Sequence, residues 1–282
     1  MFLDALTDTF IDGIKILPFL FVTYVLMEYI EHKAGSKAER FVKKSGRLGP
    51  VVGSILGVVP QCGFSAAAAN FYAGRIITLG TLISIFLSTS DEMLPILISE
   101  KVSPVLIFQI LGIKIVIGMI AGFVIDLILH RKGKEESEMR IEHMCDHEHC
   151  HCDEQNIFKS ALVHTLQIFV FIVVISFALN ILIAIVGEDK LGSFMTSVPA
   201  LGILLSGLIG LIPNCAASVV ITQLYLEGLL TMGSMMAGLL VGSGIGLLVL
   251  FRVNEGMKEN LKITTMLYVI GIACGFLIDL IL

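Results

Sequence analysis

Charge is scarce in this chain. Only 15% of its 282 residues are Asp, Glu, Lys or Arg and 56% are hydrophobic, which excludes a soluble domain whose helices turn one apolar stripe inward and a charged face to water. The sequence has no G-x-x-x-x-G-K-[ST] loop, so it does not itself carry a P-loop ATPase. It also has no Cys-x-x-Cys pair and no Ser, His and Asp set in a nucleophile arrangement. Those absences argue against an intramembrane thiol enzyme, and no enzymatic activity is expected. No cleavable signal is visible, since the first residues are acidic and no small-residue site follows a short apolar stretch. The net charge of -5 is confined to a few loops; it identifies no charged partner, and no nucleic-acid partner is expected.

What the chain has is long apolar runs, near 14–30, 48–74, 76–98, 104–129, 160–186, 198–226, 229–251 and 263–282. They predict an all-α polytopic membrane protein with the lipid bilayer as its surroundings. The chain also repeats itself. A shift of 153 positions superposes 51–129 on 204–282 without a gap, matching Gly57 with Gly210, Pro60 with Pro213, Tyr72 with Tyr225, Thr78 with Thr231 and Gly80 with Gly233. At the far end Ile125-Asp126-Leu127-Ile128-Leu129 falls on Ile278-Asp279-Leu280-Ile281-Leu282. This predicts a first transmembrane repeat over 1–130, a His/Cys-rich cytoplasmic linker over 131–158 and a second repeat over 159–282.

Basic residues set the orientation. Lys33, Lys37, Arg40, Lys43, Lys44 and Arg47 crowd 31–48, whereas the counterpart at 187–198 holds only Lys190. Matching loops therefore belong on opposite sides, which makes the repeats inverted, with about five membrane segments each and both termini outside. Four full spans per half in a parallel arrangement is the alternative, and it scatters the basic residues across both sides. Inverted repeats whose broken helices meet near the midplane are the layout of secondary transporters.

The breaks are Pro60-Gln61-Cys62-Gly63-Phe64-Ser65 and its echo Pro213-Asn214-Cys215-Ala216-Ala217-Ser218. Proline interrupts a helix and frees backbone groups, which lipid tolerates only against protein or a water-filled cavity. The two motifs are thus read as walls of one site, broken or re-entrant. Its expected substrate-binding residues are Gln61, Cys62, Ser65 and Asn70 from the first half and Asn214, Cys215, Ser218 and Gln223 from the second. A lone Cys or Ser in a membrane helix more often packs or bonds to its own backbone; the mirrored pairing favours a site. Ser90, Asp91 and Glu92 join it, because adjacent carboxylates in an apolar stretch are expensive and mark ion or proton pathways. Their repeat partners include Gly244 and Ile245, so the acidic pair belongs to one half only. A helix cap at the membrane surface is the plainer reading of either carboxylate. Lys114, in the fourth run, is read as neutralising a carboxylate or as snorkelling, and Asp126 and Asp279 as anchors at the membrane surface.

Within the linker stand His143, Cys145, His147, His149, Cys150, His151 and Cys152. Imidazole and thiolate at this density suit zinc, copper or another borderline to soft ion. The spacing is not that of a structural zinc finger, so a capture or sensing segment is expected; such tracts also occur as incidental polar composition.

The two Pro-x-Cys motifs together with Ser88-Thr89-Ser90-Asp91-Glu92-Met93-Leu94-Pro95 resemble the ten-transmembrane heavy-metal exporter family, across essentially the whole chain. Its members are labelled arsenic efflux proteins or, in some cases, manganese transporters. The resemblance implies a bacterial or archaeal exporter in the inner (cytoplasmic) membrane. A soft ion such as trivalent arsenic would use the two thiols, whereas manganese prefers carboxylate, carbonyl and water oxygens. Export of a heavy metal or metalloid of the arsenic type is the leading expectation and manganese export the alternative. A membrane-bound metal sensor using the linker is a further reading. No permanently bound cofactor is expected, coupling is expected to a proton or ion gradient, and a homo-oligomer is left open.

Overall fold

In the computed structural model the described residues are 48–58, 62–90, 93–131, 199–213, 215–254 and 256–281, with isolated helical positions between 14 and 25 and between 162 and 177. Among these residues there is no β-strand. The continuously described stretches form ten helices, in order α1 (Gly49–Gly57), α2 (Cys62–Ala73), α3 (Leu79–Ser88), α4 (Met93–Ser99), α5 (Pro104–Arg131), α6 (Pro199–Gly210), α7 (Cys215–Leu226), α8 (Met232–Val241), α9 (Ile245–Val253) and α10 (Met257–Ile281). Moved by 153 positions, α2 lands on α7 and α3 on α8 residue for residue, and the remaining helices match within a few residues at their ends.

Local chemistry explains the equivalence. Thr78 caps α3 by accepting from the Thr81 amide at 3.1 Å, and Thr231 caps α8 through the Ser234 amide at 3.1 Å. Each cap is then gripped from the neighbouring long helix. Asp126 of α5 accepts from Thr78 Oγ1 and from the Gly80 amide, both at 2.8 Å. Asp279 of α10 does the same with Thr231 Oγ1 and the Gly233 amide, both at 2.6 Å. The carboxylates thus tie the orphan donors of one helix N-terminus to the side of another. They anchor helix to helix, where the sequence suggested an anchor to the membrane surface.

Glycine makes this closeness available. A Cβ on Gly80 would lie 2.2 Å from the Gly122 carbonyl, and one on Gly233 would lie 2.3 Å from the Gly275 carbonyl. Small residues let helices in membranes pack backbone to backbone. So α3 is pressed between α1 and α5, and α8 between α6 and α10.

The two longest helices, α5 and α10, face outward. Pro104–His130, Met232–Val253 and Met257–Ile281 are long and apolar enough to cross a membrane, the middle one interrupted where α8 gives way to α9. The first and last expose Phe108, Ile120, Leu127, Val269, Leu277 and Leu280, a surface suited to acyl chains. The middle one is enclosed. Between the halves the helices exchange partners: α2 packs on α9, α7 on α4, and α3 meets α8. At the first of these contacts Gly246 lies so close to Ser65 that a Cβ there would be 2.7 Å from the Ser65 Cβ.

Candidate functional site

The short helices end inside the protein. At 1.5 Å per residue, the 12 residues of α2 reach about 18 Å, well short of the roughly 30 Å hydrocarbon layer. In the first half α1 stops at Gly57 and α2 starts at Cys62; α3 stops at Ser88 and α4 starts at Met93. The second half shows the same two gaps, between Gly210 and Cys215 and between Val241 and Ile245. Gly244 in the last gap has φ 54°, a left-handed turn that glycine adopts without strain.

A cavity lies where these ends converge. It is lined by Thr89, Ser90 and Met93 of the first half and by Gly210, Ile212, Ala217, Ser218, Gly238, Leu239, Gly242 and Gly244 of the second. Its interior space is about 10 Å³, enough for one water or one small ion. Three hydroxyl-bearing residues and four glycines give it polar side chains and accessible backbone in an otherwise apolar bundle.

Two of the expected site residues, Ser90 and Ser218, meet at this cavity. Ser90 also donates to the Val58 carbonyl, joining the 88–92 gap to the end of α1. Ser65 and Asn70 are completely buried but lie along the α2 packing face, where Asn70 Nδ2 donates to the Ala66 carbonyl of its own helix at 3.0 Å. Gln223 is exposed on α7. Cys62 and Cys215 are the first residues of α2 and α7. Gln61, Asp91, Glu92 and Asn214 lie outside the described residues, as does the whole His143 to Cys152 tract. Among the described residues no group of three His, Cys, Asp or Glu is placed to hold a metal ion.

Sequence left one feature open and missed another. Lys114 of α5 is fully buried and does not snorkel. Its ammonium donates to the Thr89 carbonyl and, at 2.7 Å, to the Leu239 carbonyl. The apolar run around it was the available signal, because an ionisable residue inside the membrane is a functional candidate by default. The second feature is a cluster away from the cavity. Arg75 forms a two-pronged ion pair with Glu259, each contact 2.9 Å, and the Tyr72 hydroxyl donates to the same carboxylate. That hydrogen-bonded carboxylate raises the pKa of the Arg75 guanidinium above its already high ordinary value. The partners are 184 positions apart, so no local pattern could announce them.

A bundle whose outer helices present apolar side chains suited to lipid defines a multi-pass membrane protein. Its first 186 residues match the family described as "Putative, 10TM heavy-metal exporter", and the chain belongs to that family. The match covers the first Pro-x-Cys motif, the Ser88 to Pro95 run and the His/Cys tract; the second motif at 213–218 lies beyond it, a narrower extent than the sequence resemblance suggested. No curated protein and no solved structure matches the chain.

Proposed function

We propose that this protein exports a heavy metal or metalloid of the arsenic type across the cytoplasmic membrane by alternating access. One observation carries the proposal: an ion-sized cavity lined jointly by the Ser90 gap of the first half and the Ser218 segment of the second. In this reading 1–130 and 159–282 are inverted repeats with both termini outside, and the linker 131–158 is a cytoplasmic segment whose His and Cys residues capture the metal. Substrate enters between the repeats and binds where the two Pro-x-Cys breaks face each other. Cys62 and Cys215, at the first turns of α2 and α7, supply thiolates that a soft ion prefers. Titration of Asp91 or Glu92 couples the cycle to a proton or ion gradient. Exchanged packing of α2 on α9 and of α7 on α4 supports the mechanism, because each half then carries a helix of the other when the halves rock.

Manganese export is the second reading, favoured by the hydroxyls of Thr89, Ser90 and Ser218 around the cavity. Cellular metal content by mass spectrometry, after challenge with arsenite, manganese, zinc and copper, separates the two. Expression of the wild type should lower arsenite alone, and the Cys62→Ser, Cys215→Ser double variant should lose that effect. Lowered manganese with dispensable cysteines would establish the oxygen-ligand reading, and unchanged content of every metal would remove the export proposal.

A further inference from the structure

Lys114 sits at the junction of the two halves. Thr89 is the C-cap residue of α3, its carbonyl left beyond the helix end, and the Leu239 carbonyl lies in the last turn of the equivalent helix α8. Carbonyls at such ends lack partners within their own helix and carry the negative pole of the helix dipole, roughly half an elementary charge each. Two negative poles therefore converge on one enclosed ammonium. In transporters with interrupted helices, such ends are where a coupling sodium ion or proton is held.

We propose that Lys114 is a tethered cation, occupying with its own ammonium a cation site made from one main-chain carbonyl of each repeat, so that no free sodium ion is needed to join them. The repeat partner of Lys114 is Leu267, which is also fully buried. The pseudosymmetric interface thus holds one lysine for two helix ends, as it would hold one ion. Thr89 and Leu239 both line the cavity, so the ammonium is bonded to the main chain of two of its lining residues. Substrate is then left to side chains, Ser90 and Ser218 among them. The inference rests on the alternating-access reading, but its test reads stability, so either can fail without the other.

The experiment is thermal unfolding of the purified full chain in detergent, with choline, sodium or methylammonium chloride at equal ionic strength. The wild type should unfold at one temperature in all three. Lys114→Ala should unfold about 5 °C lower or more in choline and regain at least half of that loss in methylammonium, because the truncated side chain leaves room for a free cation between the carbonyls. Lys114→Met, which fills the space without charge, should be low in every salt. The proposal is overturned if Lys114→Met unfolds with the wild type or if sodium stabilises the wild type. It is equally overturned if Lys114→Ala behaves identically in all three salts, whether at the wild-type temperature, lowered or aggregated.

Discussion

Asp126 and Asp279 perform one task in two places, whereas Ser65 and Ser218, also equivalent by the 153-residue shift, do not. Each aspartate holds the capped N-terminus of the next helix with the same pair of hydrogen bonds. Ser65, by contrast, is packed against Gly246, while Ser218 faces a cavity that also touches Met93, the equivalent of Gly246. Substitutions inside the repeat explain the difference. The cavity residues Ala217 and Leu239 stand where the first half has Phe64 and Phe86. Phe86 is fully buried, and its ring would come within 2.8 Å of a Cβ on Gly246. The repeats are thus alike where helices must be joined and unlike where something must be admitted. Under the proposed function, the unlike positions are those a transported ion would meet.

The largest effect should come from erasing that difference. Ala217→Phe gives the second half the ring of the first and fills a space of about 10 Å³, so export should be lost while protein is still recovered folded. Cellular metal content and gel filtration check both halves of the statement. Wild-type export from a folded Ala217→Phe protein would dissociate this cavity from the substrate path.

Next come the helix contacts, which should respond equally in both halves. Gly80→Ala and Gly233→Ala each drive a methyl into a backbone carbonyl that cannot swing aside, and each should cost about 3 kcal/mol. Asp126→Ala and Asp279→Ala each leave a cap without its acceptor and should cost about 1–3 kcal/mol. Unfolding midpoints of the four variants test the comparison directly, since a pair differing severalfold would mean that the matching geometry hides unequal loads.

The smallest effects belong to the Tyr72, Arg75 and Glu259 cluster, which has no counterpart. Arg75 and Gly228 are equivalent and share the left-handed backbone, at φ 57° and 76°. The equivalent of Glu259 is Leu106. Glu259→Gln should cost about 1 kcal/mol, because the pair is partly exposed and water screens it. Arg75→Gly loses the same pair but relieves the strained backbone, so it should cost less than Glu259→Gln. A larger loss for Arg75→Gly would show that the guanidinium does more than pair with this carboxylate.

Two residues lining the candidate cavity, Ser90 and Ser218, were legible because they stand in short motifs. The four gaps between helices fall at proline or at Ser and Gly runs, residues that end or bend a helix wherever they stand. Ser90 and Ser218 were identified from those runs and meet at the cavity. The role of Asn70 is not legible from sequence, since a buried amide bonded to its own helix looks the same on paper as one facing a ligand. The direction of Gln223 depends on which face of α7 is covered, and that is decided by α4 and α8 from elsewhere in the chain.

The sequence by itself determined the membrane class, through its apolar runs, and the equivalence of its two halves, through matched capping residues and glycines. Both are local properties, written in composition and spacing. Only the tertiary structure decided that the halves exchange partners, that the cavity opens beside Ser218 and not Ser65, and that Lys114 serves two helix ends. Those outcomes depend on which distant surfaces meet, and a buried ammonium or a missing ring acquires its meaning from what lies across the contact.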